Sequence, residues 1–341
     1  MANLFSDSQT VPSQAMLQAM IAAEVGDEQR GTDPTVNALQ DRVADLLGHE
    51  AALFLPSGTM CNAIAVRLHV RPGGDEIILD EFAHPADSEC GGPAALSGAT
   101  LRFVRTPTGI FSGDDLRALV RPPDRYVPRS RLVIVEQSTN LGGGRVWPAE
   151  AIDDVLAVAR EHGLRTHLDG ARLLNAVVAS GVPARRFAAD FDTAWIDFSK
   201  GLGCPLGAVL AGSRELIDEA WRYKQMWGGA MRQTGYVAAA CVYALDHNVE
   251  RLAEDHDNAR LLAEGLAGIP GVDIEPSEVE TNIVVFGVAD AHRTAAALAA
   301  EGVDVLAVDE RRLRAVTYLG VTRADVDEAL ATVARVIRAS R

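Results

Sequence analysis

The stretch that decides the fold is Thr193–Ser213, TAWIDFSKGLGCPLGAVLAGS. Its apolar runs Thr193–Phe198 and Ala208–Ala211 predict two strands. The loop between them carries a single lysine, Lys200, among Gly201, Gly203, Pro205 and Gly207. Glycines let that backbone approach another group closely. A lysine between buried strands loses ammonium hydration, which lowers its pKa and makes its amine a usable nucleophile. The competing reading is a surface lysine on a hairpin loop.

Upstream, the same strand-then-site grammar repeats. Thr166–Leu168 predicts a strand ending at Asp169, followed by a helix in GARLLNAVVASG. Leu132–Glu136 predicts another, followed by the Gly-rich loop QSTNLGGGRVWP and an amphipathic helix over 149–162. Arg102–Thr106 and Glu76–Asp80 read as strands, the latter leading to His84 in EFAHPADSECGG. Ala51–Leu55 runs into PSGTMCNAIAVRLHV, a turn and then a helix. A strand, small polar residues and a helix start present backbone N–H groups and the helix dipole to an anion. Ser57, Gly58 and Thr59 are therefore candidates for a phosphate site, with a plain helix cap as the alternative. Neither GxxxxGK[ST] nor GxGxxG is present. The alternation from about residue 50 to 215 predicts an α/β fold with a mainly parallel, doubly wound sheet. Ligands of such sheets bind beyond the strand C-termini. Ser57, His84, the 137–145 loop, Asp169 and Lys200 all fall there.

The flanks complete the organisation. Residues 1–30 are expected to pack on the other parts, with a helix over Ser13–Ala23 and a loop over Gly26–Pro34. A helix from Thr35 follows Val36, Leu39, Val43, Leu46 and Leu47 and ends at Gly48, with Asp33 or Thr35 as its cap. The large domain is expected to span 31–250. Arg214–Leu262 reads as helical, interrupted by GGAMRQTG at Gly228–Gly235. Strands over Val272–Ile274, Asn282–Val285, Val303–Leu306 and Leu313–Val316, with helices over about 290–301 and 324–339, predict a small C-terminal α+β domain over 251–341.

Composition narrows the function classes. The 341 residues are 48% hydrophobic and 23% charged, as in an ordinary globular protein, and the formal net charge is −15. That balance argues against nucleic-acid partners and against anionic membrane. The four cysteines form no CxxC, so no zinc site or disulfide framework is indicated. No secretory signal and no long apolar run is visible, so a cytoplasmic location is expected. His167 and Asp169 share one side of their strand, which a metal could use, but no third ligand follows by spacing and no metal is expected.

A lysine, an acid, an imidazole and a helix N-terminus are what pyridoxal phosphate requires. Across nearly the whole chain the sequence resembles the threonine aldolase and β-eliminating lyase group of fold type I pyridoxal-phosphate enzymes. The pieces that carry this are Ser6-Asp7, GDEQRGTDPTVNALQ, LFLPSGTMCNAIA, HPADSECGGPAALSG and HLDGARLLNA. Further along come DFSKGLGCPLGAVLAGS, GGAMRQTG, AEDHDNA and RAVTYLGVTRADVDEAL. The resemblance implies an aspartate aminotransferase-like large domain and pyridoxal 5'-phosphate as cofactor. It implies Lys200 as the Schiff-base lysine, Asp169 against the pyridine nitrogen and His84 stacked on the ring, these three being catalytic. Ser57, Gly58 and Thr59 would hold the phosphate, and Arg232 would reach the phosphate region of a neighbouring subunit. Ser6, Arg172 and Arg314 would receive the α-carboxylate, with Arg172 also near the cofactor. A homo-oligomer of dimers with shared active sites, often a homotetramer, is implied too.

The implied reaction is retro-aldol cleavage of an L-β-hydroxy-α-amino acid, threonine or allo-threonine-like, to glycine and an aldehyde. Three positions depart from the family. Thr139 replaces a histidine (EQSTN for ENTHN), and a hydroxyl cannot serve as a base near neutral pH. His84, or a phosphate-linked water, would then take the β-hydroxyl proton. Arg30 replaces a tyrosine, and Tyr318 replaces the histidine of a VTH. With Thr139 and Arg30 as substrate contacts, two alternatives stay open: β-elimination, or an acidic substrate such as 3-hydroxyaspartate. Arg30 could instead pair with Asp27, Glu28 or Asp33.

Overall fold

The computed structural model describes residues 2–339. The chain enters as a short strand, β1 (Ala2–Asn3), and then builds one large sheet. Its members are β2 (Ala51–Leu55), β3 (Asp75–Asp80), β4 (Thr100–Val104), β5 (Arg129–Glu136), β6 (Arg165–Asp169), β7 (Thr193–Asp197) and β8 (Ala208–Gly212). The spatial order is β2-β8-β7-β6-β5-β3-β4. Neighbours from β7 through β4 run parallel, whereas β8 is antiparallel to both β7 and β2. The exception has a simple cause. The Phe198–Gly207 connection is too short for a crossover helix, so β7 and β8 can pair only as a hairpin. β3, β7 and β8 are buried at every position, which a sheet covered on both faces demands.

Local chemistry sets the helix ends. Asp33 caps the helix Pro34–Leu47 by accepting from Val36 N at 3.1 Å, and Gly48 ends it at φ +80°. Asp33, not Thr35, therefore holds the cap. Ser57 caps the helix Gly58–His69. Among the described residues no helix is long and apolar enough to cross a membrane.

The C-terminal part forms a second layer. It contains β9 (Ile283–Gly287), β10 (Val303–Asp304), β11 (Leu306–Ala307) and β12 (Arg312–Val316). The order β11-β12-β9 is antiparallel, and Leu262, Leu266, Phe286, Leu298, Leu313 and Val326 share one core behind it. β1 pairs in parallel with β10, Leu4 joins this second core, and Val316 N donates to Leu4 O at 2.8 Å. The residues just after β1 are thereby led toward the large sheet.

Three expected boundaries need correction. Val272–Ile274 is not a strand; only Asp273 bridges Gly287. Val303–Leu306 breaks at Val305 into β10 and β11, which serve different sheets. The long helical region has a second break at 248–251, between the helices Gly235–His247 and Leu252–Ala267.

Candidate active site

The hairpin loop is tied down on every side. Ser199 donates to Asp197 Oδ1 through its N–H (2.9 Å) and its hydroxyl (2.7 Å). Gly203 N donates to Lys200 O at 2.9 Å, and Asn248 Nδ2 to Leu202 O at 2.7 Å. Gly207 sits at φ +122°, where a Cβ would lie 2.8 Å from the Phe54 ring, so only glycine fits. Lys200 thus stands on a fixed base, 20% exposed, with Nζ 3.0 Å from Asp197 Oδ2. The lysine is on a hairpin, yet it is an ion-paired, largely covered residue. Its charge is felt at Asp7, Cys61 and His84.

Two acids end adjacent strands in register, Glu136 on β5 and Asp169 on β6. Asp169 is fully buried and accepts from Asn62 Nδ2 (2.8 Å) and Ala171 N (3.1 Å). Glu136 accepts from Asn140 N (2.6 Å) and His84 N (2.8 Å). Burial, reinforced by the Asp169 charge, pushes Glu136 up to about 7 despite those bonds. His84 Nδ1 lies 2.8 Å from Glu89 Oε1. Burial alone would lower the imidazole's pKa, but the Glu89 bond and the charges of Asp169 and Glu89 outweigh it and raise it.

Where the two layers meet, Arg172 grips Asp7 with two bonds of 2.7 Å. Burial works to raise the Asp7 pKa, but the guanidinium beside it holds it at about 2. Ser6, next in the chain, accepts from Ser8 N at 3.2 Å. Arg314 has a different environment. It is 5% exposed, its Nη atoms donate to Asn140 Oδ1 (2.7 Å) and Phe5 O (3.1 Å), and its Nε is buried without a partner. Arg172 Nη1 reaches the same Asn140 oxygen at 3.2 Å. Burial and repulsion from Arg172 lower the Arg314 pKa to about 10. A buried guanidinium with only neutral acceptors and a spare donor is suited to receive an anion.

The remaining expected residues divide. Ser57 Oγ accepts from Met60 N at 3.3 Å, and the first-turn amides of Gly58 and Thr59 have no intrahelical acceptor. Gly58 is glycine for packing: a Cβ there would sit 2.2 Å from the Trp195 indole. Thr139 is buried in its loop, where its hydroxyl accepts from Arg145 N at 3.1 Å. Tyr318 belongs to the second core. Arg232 is exposed and paired with Asp27 at 3.0 Å. Arg30 is exposed, and the alternative of a pairing with Asp27, Glu28 or Asp33 is not what the structure shows. Asp27 is taken by Arg232, Glu28 by Lys224 and Thr234, and Asp33 by the amides of Val36, Gly26 and Gly235.

Several members of the cluster were not singled out by sequence: Asn62, Glu89, Glu136, Asn140, Asp197 and Lys224. Glu136 had a usable signal, since it ends its strand as Asp169 does; the others depend on tertiary placement. The chain has two lysines, Lys200 and Lys224. Lys224 is fully buried beside Glu28, with Nζ 4.8 Å from the Trp221 ring, and burial lowers its pKa to about 7. Lys200 is therefore the more accessible amine. A reachable amine, a buried acid, an imidazole, free helix-start amides and an unsatisfied Arg314 fit a phosphorylated pyridine aldehyde and an amino acid. They offer nothing comparable to a metal: both His167 nitrogens are occupied, by Thr193 (2.8 Å) and Asn62 (3.1 Å). Among the described residues no group of three or more His, Cys, Asp and Glu side chains is placed to hold a metal ion.

Comparison with known proteins adds to this geometry. The model of the beta-eliminating lyase family matches residues 3–290. A low specificity L-threonine aldolase of Escherichia coli O157:H7 is 41% identical over 97% of this chain and 98% of its own length. A probable low-specificity L-threonine aldolase 2 of Arabidopsis thaliana is 39% identical over 96% and 95%. Among solved structures, the threonine aldolase of Leishmania major superposes with a TM-score of 0.84 at 20% identity, covering 99% of this chain and all of the other. A serine palmitoyltransferase of Sphingomonas wittichii gives 0.76 at 19% identity over 99% and 87%. These two likenesses show the fold.

Proposed function

The chain belongs to the beta-eliminating lyase family, and from that premise we propose that it is a pyridoxal 5'-phosphate-dependent aldehyde-lyase that cleaves L-threonine-like β-hydroxy-α-amino acids to glycine and an aldehyde. The single observation that carries the substrate class is Arg314, a buried guanidinium without a carboxylate partner, beside Arg172. When bound, the cofactor supplies an aldehyde for an amine and a ring that accepts the electron pair left at Cα as the Cα–Cβ bond breaks.

The chain's own residues do the rest. Lys200 offers its amine from a fixed loop, and Asp197 holds it in place. Asp169, fixed by Asn62 and Ala171, holds the proton on the ring nitrogen. Arg314 and Arg172 receive the substrate carboxylate, and Ser6 lies on the same N-terminal turn as Asp7. That grip orients Cα–Cβ for cleavage. The Gly58 and Thr59 amides and the Ser57 turn take the phosphate. His84 would lie against the ring, and its Nε2, the nitrogen not bonded to Glu89, would take the β-hydroxyl proton. Thr139 braces the loop that brings Asn140 to both arginines.

We also propose a homo-oligomer in the cytoplasm. Val11, Ile21, Met226 and Tyr236 leave large apolar area exposed, and the helices Gln14–Ile21 and Gly235–His247 of that region pack together. Arg232 lies in the same region and would serve a neighbour's phosphate. We place the boundary between the large and small domains near residue 250.

Incubation with L-threonine is expected to release glycine and acetaldehyde in equal amounts. Ammonia and an oxo acid without glycine would establish β-elimination instead. A second reading rests on Arg30, whose three nearby acids are all engaged elsewhere: the site would prefer an acidic substrate. In that case 3-hydroxyaspartate would be cleaved faster than threonine, and Arg30→Ala would remove the preference.

The acid limb of kcat/KM follows from His84. Its Nε2 accepts a proton only when the ring is neutral, so activity is lost as pH falls through a pKa raised above the ordinary 6.5. Glu89→Gln removes the anionic partner and is expected to move that limb to lower pH. A limb indifferent to Glu89→Gln would show that His84 is not the base.

A further inference from the structure

The helix Gly58–His69 carries Asn62 and His69 toward the face of the sheet that presents His167, Asp169, Thr193 and Trp195. Asn62 is buried, and all of its hydrogen-bonding capacity is used. Its orientation is dictated by Trp195. The indole N–H can only donate and lies 2.9 Å from Asn62 Oδ1, so that atom is the oxygen. Nδ2 then donates one hydrogen to Asp169 Oδ2 at 2.8 Å and the other to Glu89 Oε1 at 2.7 Å. The same Glu89 oxygen meets His84 Nδ1.

The orientation propagates. His167 Nε2, 3.1 Å from Asn62 Oδ1, must carry the proton. Burial keeps this imidazole neutral, with a pKa lowered to about 3, so its Nδ1 accepts from the Thr193 hydroxyl at 2.8 Å. Thr193 Oγ1 in turn accepts from His69 Nε2 at 3.0 Å. Every donor in the series therefore points from His69 toward the carboxylates of Asp169 and Glu89. Reversing any one bond would orphan a buried polar atom, and aligned bonds in a low-dielectric interior strengthen one another.

We propose that Asn62 is a positioning residue whose two amide hydrogens fix the Asp169 carboxylate toward the cofactor's ring nitrogen and tie it to the Glu89–His84 pair. The proposal rests on Asp169 being the ring's partner. Asp169 Oδ1 is held by Ala171 N and Oδ2 by Asn62, so without the amide a single hydrogen bond, from Ala171 N, is left to orient the carboxylate.

Asn62→Asp tests this by equilibrium dialysis of pyridoxal phosphate against wild type and variant at a series of pH values, with the visible cofactor band recorded alongside. The new side chain still accepts from Trp195 and His167. As a neutral acid it has one proton for two carboxylates, and lying between them it holds that proton to raised pH. Once it ionises it donates to neither. The ratio of variant to wild-type dissociation constants is therefore expected to climb with pH, to about tenfold or more at the alkaline end. A ratio that stays flat, whatever its size, marks Asn62 as ordinary packing and overturns the proposal. Thr193→Val is the second arm if Asn62→Asp does not fold. Removing the hydroxyl that polarises His167 is expected to weaken cofactor binding about two- to threefold; wild-type binding with a lowered unfolding temperature overturns the proposal. A wild-type protein without a cofactor band removes the reading beneath it, whereas normal wild-type binding with an indifferent Asn62→Asp removes the proposal alone.

Discussion

Lys200→Ala is expected to lower the rate of threonine cleavage by at least about 10³-fold while leaving the fold intact. The loop does not need the lysine side chain. Its shape comes from Ser199 on Asp197, Gly203 on the Lys200 carbonyl, Asn248 on Leu202, and Gly207 against Phe54. What the substitution removes is the one amine near Asp169 and His84, and it leaves Asp197 without its cation. Circular dichroism of the variant should match wild type, with the unfolding temperature lowered because buried Asp197 loses its cation, and glycine release near background. Substantial residual turnover would mean that the amine acts elsewhere. Lys224 cannot substitute, because Trp221, Phe54 and Glu28 enclose it.

The second large effect is predicted at Arg314, and it has two signs. Arg314→Met keeps most of the side-chain volume but deletes a buried charge that faces only Asn140 and the Phe5 carbonyl. Loss of a carboxylate-binding guanidinium costs about 2–4 kcal/mol, roughly 30- to 1,000-fold in kcat/KM for threonine. The unliganded protein is expected to gain stability, since an uncompensated buried cation pressed against Arg172 is a cost to folding. A rise in unfolding temperature with a collapse of kcat/KM supports the assignment. Unchanged kinetics with reduced stability would make Arg314 a structural residue. Arg172 should behave oppositely in the stability assay, because removing it strands the buried Asp7 carboxylate.

Most of the large sheet was legible because its strands are short, continuously apolar and separated by amphipathic helices, and its acids fall at strand ends. Lys200 and Asp169 stood out for that reason. The antiparallel turn of β8 was implicit in the short Phe198–Gly207 connection. The small domain was less legible: β10 and β11 are two residues each, and a break at Val305 divides them between sheets, below what periodicity resolves. Gly58 was legible as a glycine that matters but not for its reason, since only the folded chain brings Trp195 against it. Asn62, Asn140 and Glu89 are small polar residues inside helices and loops, and their importance comes from partners far away in the chain. Arg30 illustrates the converse. Three acids adjacent in sequence invited a pairing, and each is claimed by a group brought there by the fold.

The central claim is that the cofactor is bonded to the amine of Lys200, and a chain with two lysines makes its test unusually clean. Borohydride reduction of the cofactor-loaded protein converts the carbon–nitrogen link to a stable amine, and peptide mapping by mass spectrometry then locates it. The predicted result is a pyridoxyl adduct on the peptide containing Lys200 and an unmodified Lys224. An adduct on Lys224, or a loaded protein that carries no adduct after reduction, would contradict the claim.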